Sequence, residues 1–108
     1  MIAATPEPPY FVVSFTSQRS ADDQGYAAMA EWMLELAQRQ PGFLGVESAR
    51  SDGLGITLSY WRSEDDIQAW REHAQHLMAQ EQGRTRGSCA FTTRVAKVER
   101  AYSFTRKV

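Results

Sequence analysis

Residues 40–62 read QPGFLGVESARSDGLGITLSYWR, and residues 63–84 continue as SEDDIQAWREHAQHLMAQEQGR. Pro41-Gly42 stops a preceding helix, because proline has no amide donor and glycine tolerates the backbone angles of a helix exit. Two apolar runs, Phe43 to Arg50 and Leu54 to Trp61, flank Ser51-Asp52-Gly53. That tripeptide predicts a tight turn, since Gly53 can take a positive φ, and the two runs become a β-hairpin. Ser63-Glu64-Asp65-Asp66 then fits a capping box, with acidic groups at the positive end of the helix dipole. Ile67, Trp70, Ala74, Leu77 and Met78 follow at helical spacing, and Gly83 is the expected end.

Working outward, Tyr10–Thr16 is aromatic and β-branched and predicts a strand. Ser17 to Asp23 reads as a polar loop in which Ser20–Asp23 forms another capping box. Tyr26, Met29, Ala30, Met33, Leu36 and Ala37 make one helical stripe, with Trp32 at its edge. Downstream, Phe91 to Phe104 holds no glycine or proline and reads as one long strand. Val95 and Val98 break strict alternation, which predicts a bulge near Ala96-Lys97. Residues 1–9, with prolines at 6, 8 and 9, form an extended arm expected to be disordered to about Pro8. Residues 10–108 form one domain.

The order β-α-β-β-α-β defines an α+β, ferredoxin-like arrangement: a four-stranded antiparallel sheet with two helices on one face. Both sheet faces carry large side chains. Leu54, Ile56, Leu58 and Tyr60 alternate with Thr57, Ser59 and Trp61, and Phe11, Val13 and Phe15 oppose Tyr10 and Val12. Only one face can lie under the helices, so the other predicts a homodimer packed sheet to sheet. The long last strand, with Arg94, Lys97, Glu99 and Arg100, would lie across the second subunit.

Composition narrows the function classes. With 12 Lys and Arg against 13 Asp and Glu, the chain has no field for nucleic acid or for an anionic membrane. No apolar run approaches the roughly 18 residues of a membrane span. The single cysteine, Cys89, cannot form an intramolecular disulfide, which points to the reducing cytoplasm. MIAATPEPPY lacks the positive and apolar regions of a signal peptide. No nucleotide-binding glycine motif or P-loop is present, which agrees with a protein lacking a nucleotide cofactor.

Several residues could carry chemistry. His73 and His76 are the only histidines, three apart on the second predicted helix. Histidine is the side chain whose charge changes nearest neutral pH, so either is a candidate proton acceptor. The plainer reading is two half-exposed helix histidines beside Glu72 and Gln75. As metal ligands they lack a third partner nearby in sequence, and no metal is expected. Trp70 sits on an apolar stripe and reads first as core. Trp61 needs a partner for its N–H, and Ser59 or Ser14 supplies a hydroxyl at similar depth. Trp61, Trp70 and these hydroxyls describe either a pocket for a small planar aromatic ligand or an aromatic core.

The PGFLG run at residues 41–45, the Tyr60-Trp61 pair before the second helix and the element order resemble the antibiotic biosynthesis monooxygenase family over roughly Tyr10 to Phe104. The resemblance implies a dimeric α/β barrel whose C-terminal strands reach over the partner. It also implies a cofactor-independent monooxygenase acting on a phenol, quinol or anthrone, in which the substrate anion itself reduces dioxygen and Arg84 or Arg94 is a candidate to stabilise that anion. A haem-degrading branch of the superfamily uses an Asn on the first strand, a Trp on the second helix and a His ten residues later. Here Trp70 matches, but Gln80 stands in the histidine position and Tyr10–Thr16 holds no Asn. Related members carry Trp-Tyr and a further Tyr where this chain has Gly87, Ser88 and Phe91. A non-catalytic small-molecule binder and a structural dimer of the same fold remain the alternatives.

Overall fold

A computed structural model describes residues 1–19, 26–81 and 88–107. The elements are β1 (Tyr10–Arg19), α1 (Tyr26–Ala37), β2 (Phe43–Ser51), β3 (Leu54–Trp61), α2 (Glu64–Glu81) and β4 (Ser88–Val98). The strands form one antiparallel sheet in the order β2-β3-β1-β4. This is the expected ferredoxin-like α+β fold. Ala37 of α1 and Ile67 of α2 are buried with Trp61, and Phe11, Val13, Phe43 and Trp70 pack against them. Both helices therefore lie on the face that carries the odd-numbered residues of β1 and β3.

The turns follow from their residues. Gly42 has φ +83° and Phe43 N–H donates to the Gln40 carbonyl at 3.2 Å, so Gln40-Pro41-Gly42-Phe43 is a type II-like turn. The α1 helix ends earlier, at Ala37. Asp52 and Gly53 take φ of 49° and 83°, and Ser51 pairs with Leu54, as a two-residue hairpin loop of the primed kind requires. At the start of α2, Asp66 N–H donates to Ser63 Oγ at 3.1 Å and the Ser63 hydroxyl donates to Asp66 Oδ2 at 2.9 Å. The Asp66 carboxylate lies against Gly42, where a Cβ would collide with it. The cap of one helix thus locks onto the turn that follows the other.

Four expectations need correction. β1 runs to Arg19 rather than Thr16, because a central strand is held by ladders on both sides even where it is polar: Ser17 pairs with Gly55 and with Phe91. The Ser20–Asp23 capping box and the Gly83 helix end lie outside the described residues. β4 ends at Val98, not Phe104. Val98 pairs with Tyr10, and beyond it the preceding residues of the partner are Pro9 and Pro8, which have no amide to extend the ladder. Residues 99–107 continue outside any strand, with Tyr102 and Phe104 each 88% exposed. Nor is there a bulge at Ala96-Lys97. The register is unbroken from Tyr10↔Val98 to Gln18↔Ala90 and shifts only where Arg19 meets Ser88, leaving Cys89 as the extra residue.

The fourth concerns the arm. It is docked on the helix-free face, not disordered. The Ala3 amide donates to Glu47 Oε2 at 3.0 Å, and Ala3 lies beside Gly45. Tyr60 donates to Glu47 Oε1 at 2.6 Å, and the hydroxyls of Thr5 and Tyr10 share a 2.9 Å bond. Tyr10 and Tyr60 meet edge to face, and Tyr10 is buried. Farther along the same face Leu54 and Ile56 stay exposed.

Candidate functional site

Strand alternation and register place the helix-side residues of three strands in rows. Phe11, Trp61 and Phe43 form the first row, Val13, Ser59 and Val46 the second, Phe15, Thr57 and Ser48 the third, and Ser17, Gly55 and Arg50 the fourth. The helix-side face of the sheet therefore grades from aromatic, where the helices pack, through hydroxyl-bearing, to cationic over about 20 Å, with Ser48 and Arg50 exposed at its far end.

The aromatic end is closed. Trp61 is 0% exposed and meets Phe43 edge to face at 5.5 Å. Its indole N–H donates to Ser59 Oγ at 2.9 Å. A buried indole without that acceptor would leave a desolvated donor unpaired. Trp70 packs against this core and lies 5.9 Å from the ring of His73, tilted by 55°. His73 and His76 are exposed on α2. Trp61, Ser59, Trp70 and His73 are thus associated with the helix side.

Two other candidates lie elsewhere. Ser14 pairs with Leu58 and with Arg94, so both belong to the helix-free face, away from Trp61. Arg84 lies outside the described residues. Sequence reasoning passed over Arg50, Ser48, Thr57 and Ser17. Arg50 NH1 donates to the Gly53 carbonyl at 2.8 Å and NH2 to Ser17 Oγ at 2.9 Å, while Ser48 and Thr57 hydroxyls meet at 2.8 Å. Alternation along the hairpin could have found this row, since Arg50, Gly55 and Ser17 share a face once the register is known. Among the described residues no cluster of three or more His, Cys, Asp or Glu could hold a metal ion, and no helix is long and apolar enough to cross a membrane.

On the helix-free face Glu47 and Tyr60 perturb one another. The Tyr60 hydroxyl, then the Ala3 amide, hold the Glu47 carboxyl below the usual range. Burial, and then Glu47, push Tyr60 up to about 12. Each bond favours the ionised carboxylate and the neutral phenol.

Comparison with known proteins agrees with this architecture. The family model described as antibiotic biosynthesis monooxygenase matches residues 9–82, and the chain belongs to that family. It is 52% identical over 104 residues to the uncharacterised protein YqjZ of Bacillus subtilis, covering 95% of this chain and 91% of that one. A Nitrosomonas europaea protein of unknown function, NE2512, shares the fold with a TM-score of 0.64 at 10% identity, over 95% of this chain and 100% of that one. A candidate antibiotic biosynthesis monooxygenase of Chloroflexus aurantiacus superposes with a TM-score of 0.55 at 14% identity, over 81% of this chain and 92% of its own.

Proposed function

We propose that this protein is a cofactor-independent monooxygenase for a small phenol-, quinol- or anthrone-like substrate, working as a cytoplasmic homodimer. The observation that carries the reading is the graded helix-side floor, with the Trp61–Ser59 pair closing its aromatic end, in a chain of this family. A planar ring would lie along the floor beside Trp70. The substrate would lose a proton to His76 or His73, and its anion would reduce dioxygen. One oxygen atom of dioxygen becomes bonded to the ring carbon and the other leaves as water with the two hydrogens that the ring system loses, so the substrate supplies all four electrons. The protein's part is to favour the anion and exclude water from the intermediate.

Oxygen uptake with a panel of hydroquinones and anthrones tests this. One dioxygen consumed per oxygenated quinone, with one of its oxygen atoms found in the product, no hydrogen peroxide released and a rate lowered at least tenfold in His76→Ala or His73→Ala, is the expected result. The exposure of both histidines favours a second reading, a small-molecule binder without turnover. Tight binding of the same compounds with no oxygen uptake would decide for the binder.

A further inference from the structure

We propose that Arg50, seated in the notch left by Gly55 and flanked by the Ser48–Thr57 hydroxyl pair, is a recognition site for the carboxylate of an aromatic acid. The inference rests on the reading of the helix-side floor as a ligand cleft, and it names the chemistry at that cleft's polar end.

Arg50 starts on β2 but reaches across β3 to a hydroxyl on β1. Only a glycine at position 55 allows that path, because a Cβ there would fall inside the guanidinium. Ser17 is 2% exposed and the Gly53 carbonyl belongs to the hairpin turn, so both anchors are fixed by the sheet. Both are neutral. Among the described residues Arg50 has no carboxylate partner, and both of its hydrogen bonds there go to neutral oxygens. Among the described residues two of the five guanidinium N–H donors are used, one on each terminal nitrogen, which leaves three to meet a carboxylate. Arg50 is exposed, and its two hydrogen bonds pre-orient the guanidinium, which lowers the rotamer entropy that a ligand must pay for the contact.

The neighbours suit the rest of such a ligand. Thr57 and Ser48 lie one row away, about 6–7 Å along their strands, and add hydroxyl donors. Phe15 stands beside Thr57 in the same row, and its ring lies 5.4 Å from that of Phe91, tilted by 31°. Phe91 is 58% exposed although it is aromatic and next to the buried Ser17. A ligand ring on Phe15 and Phe91 would turn its carboxylate toward the guanidinium of Arg50, which itself lies over Gly55.

Calorimetric titration with 2-naphthoate and with the neutral 2-naphthylmethanol tests the assignment on the full chain. The wild-type protein should bind naphthoate at least tenfold more tightly, and added salt should weaken naphthoate alone. Arg50→Gln should erase the preference, and Arg50→Lys should restore only part of it, since an ammonium lacks the planar pair of donors. Gly55→Ala keeps the charge but displaces it, and should also lose the preference. Ser48→Ala, at an exposed position, should weaken naphthoate while melting stays unchanged. Equal affinity for the two probes, or a preference that survives Arg50→Gln, would overturn the proposal. Quinol oxidation unchanged by Arg50→Gln alongside equal probe affinities would remove this site and leave the oxygenase reading standing. Naphthoate selectivity without any oxygen uptake would do the reverse.

Discussion

Ser63 shows how much one side chain arranges. It accepts from the Asp66 amide and donates to the Asp66 carboxylate, and that carboxylate rests on Gly42. Ser63→Ala should cost about 1 kcal/mol, a melting shift of roughly 5 °C for a domain of this size. Unchanged melting would mean that the Asp66–Gly42 contact sets the helix start without the hydroxyl. Trp61 is the other residue on which much depends. It is fully buried and its N–H is paired, so Trp61→Ala should lose about 3–5 kcal/mol. Denaturant unfolding measures that loss, and a change below 1 kcal/mol would show that the site collapses around the gap.

At the scale of elements, the N-terminal arm behaves as part of the sheet. It is held through Ala3 and Glu47, and Glu47 faces the Tyr60 hydroxyl, the Tyr10 ring beyond it and the amino terminus of Met1. The Glu47 carboxyl is held below its usual range, so its contribution is present above that range and is lost as pH falls through its lowered value. Tyr60 is pushed up to about 12, so its contribution is complete below the ordinary tyrosine range and is lost as pH rises through about 12. Proteolysis between residues 1 and 9 should therefore be slow near neutral pH and speed up at acid pH, and Glu47→Ala should be cut quickly at every pH. Cleavage independent of both pH and Glu47 would show that the arm is held by something else. β4 makes the complementary point. Its length follows from its partner, because the ladder stops where β1 gives way to prolines.

For the whole molecule, the central issue is the helix-free face. The arm covers the Gly45, Tyr10 and Tyr60 end, while Leu54 and Ile56 remain 48% and 43% exposed. Each such side chain is worth roughly 1.5–3 kcal/mol when buried. A two-fold pairing of identical sheets would bury them twice over, and residues 99–107, with Tyr102 and Phe104 exposed, extend beyond the domain's own sheet. Sedimentation at micromolar concentration should give a mass near twice 12.2 kDa. A stable monomer would show that this face tolerates water.

The hairpin, the α2 cap and the element order were legible because each depends on neighbours close in sequence. Pro41-Gly42, Asp52-Gly53 and Ser63–Asp66 settle backbone angles and orphan amides locally, and two-residue alternation sorts Tyr60 from Trp61. For Trp61 the sequence left Ser59 and Ser14 both open as acceptors, and the sheet decides for Ser59, two residues away on the same face. Other features depended on partners far along the chain. The end of β4 was decided by Pro8 and Pro9, the docking of the arm by Glu47, and the separation of Ser14 and Arg94 from Trp61 by which face the helices cover. Arg50 gained its place only when the register set Gly55 between it and Ser17. Local chemistry determines which elements form, but side chains from distant strands share a site only after the sheet has chosen its order, register and covered face.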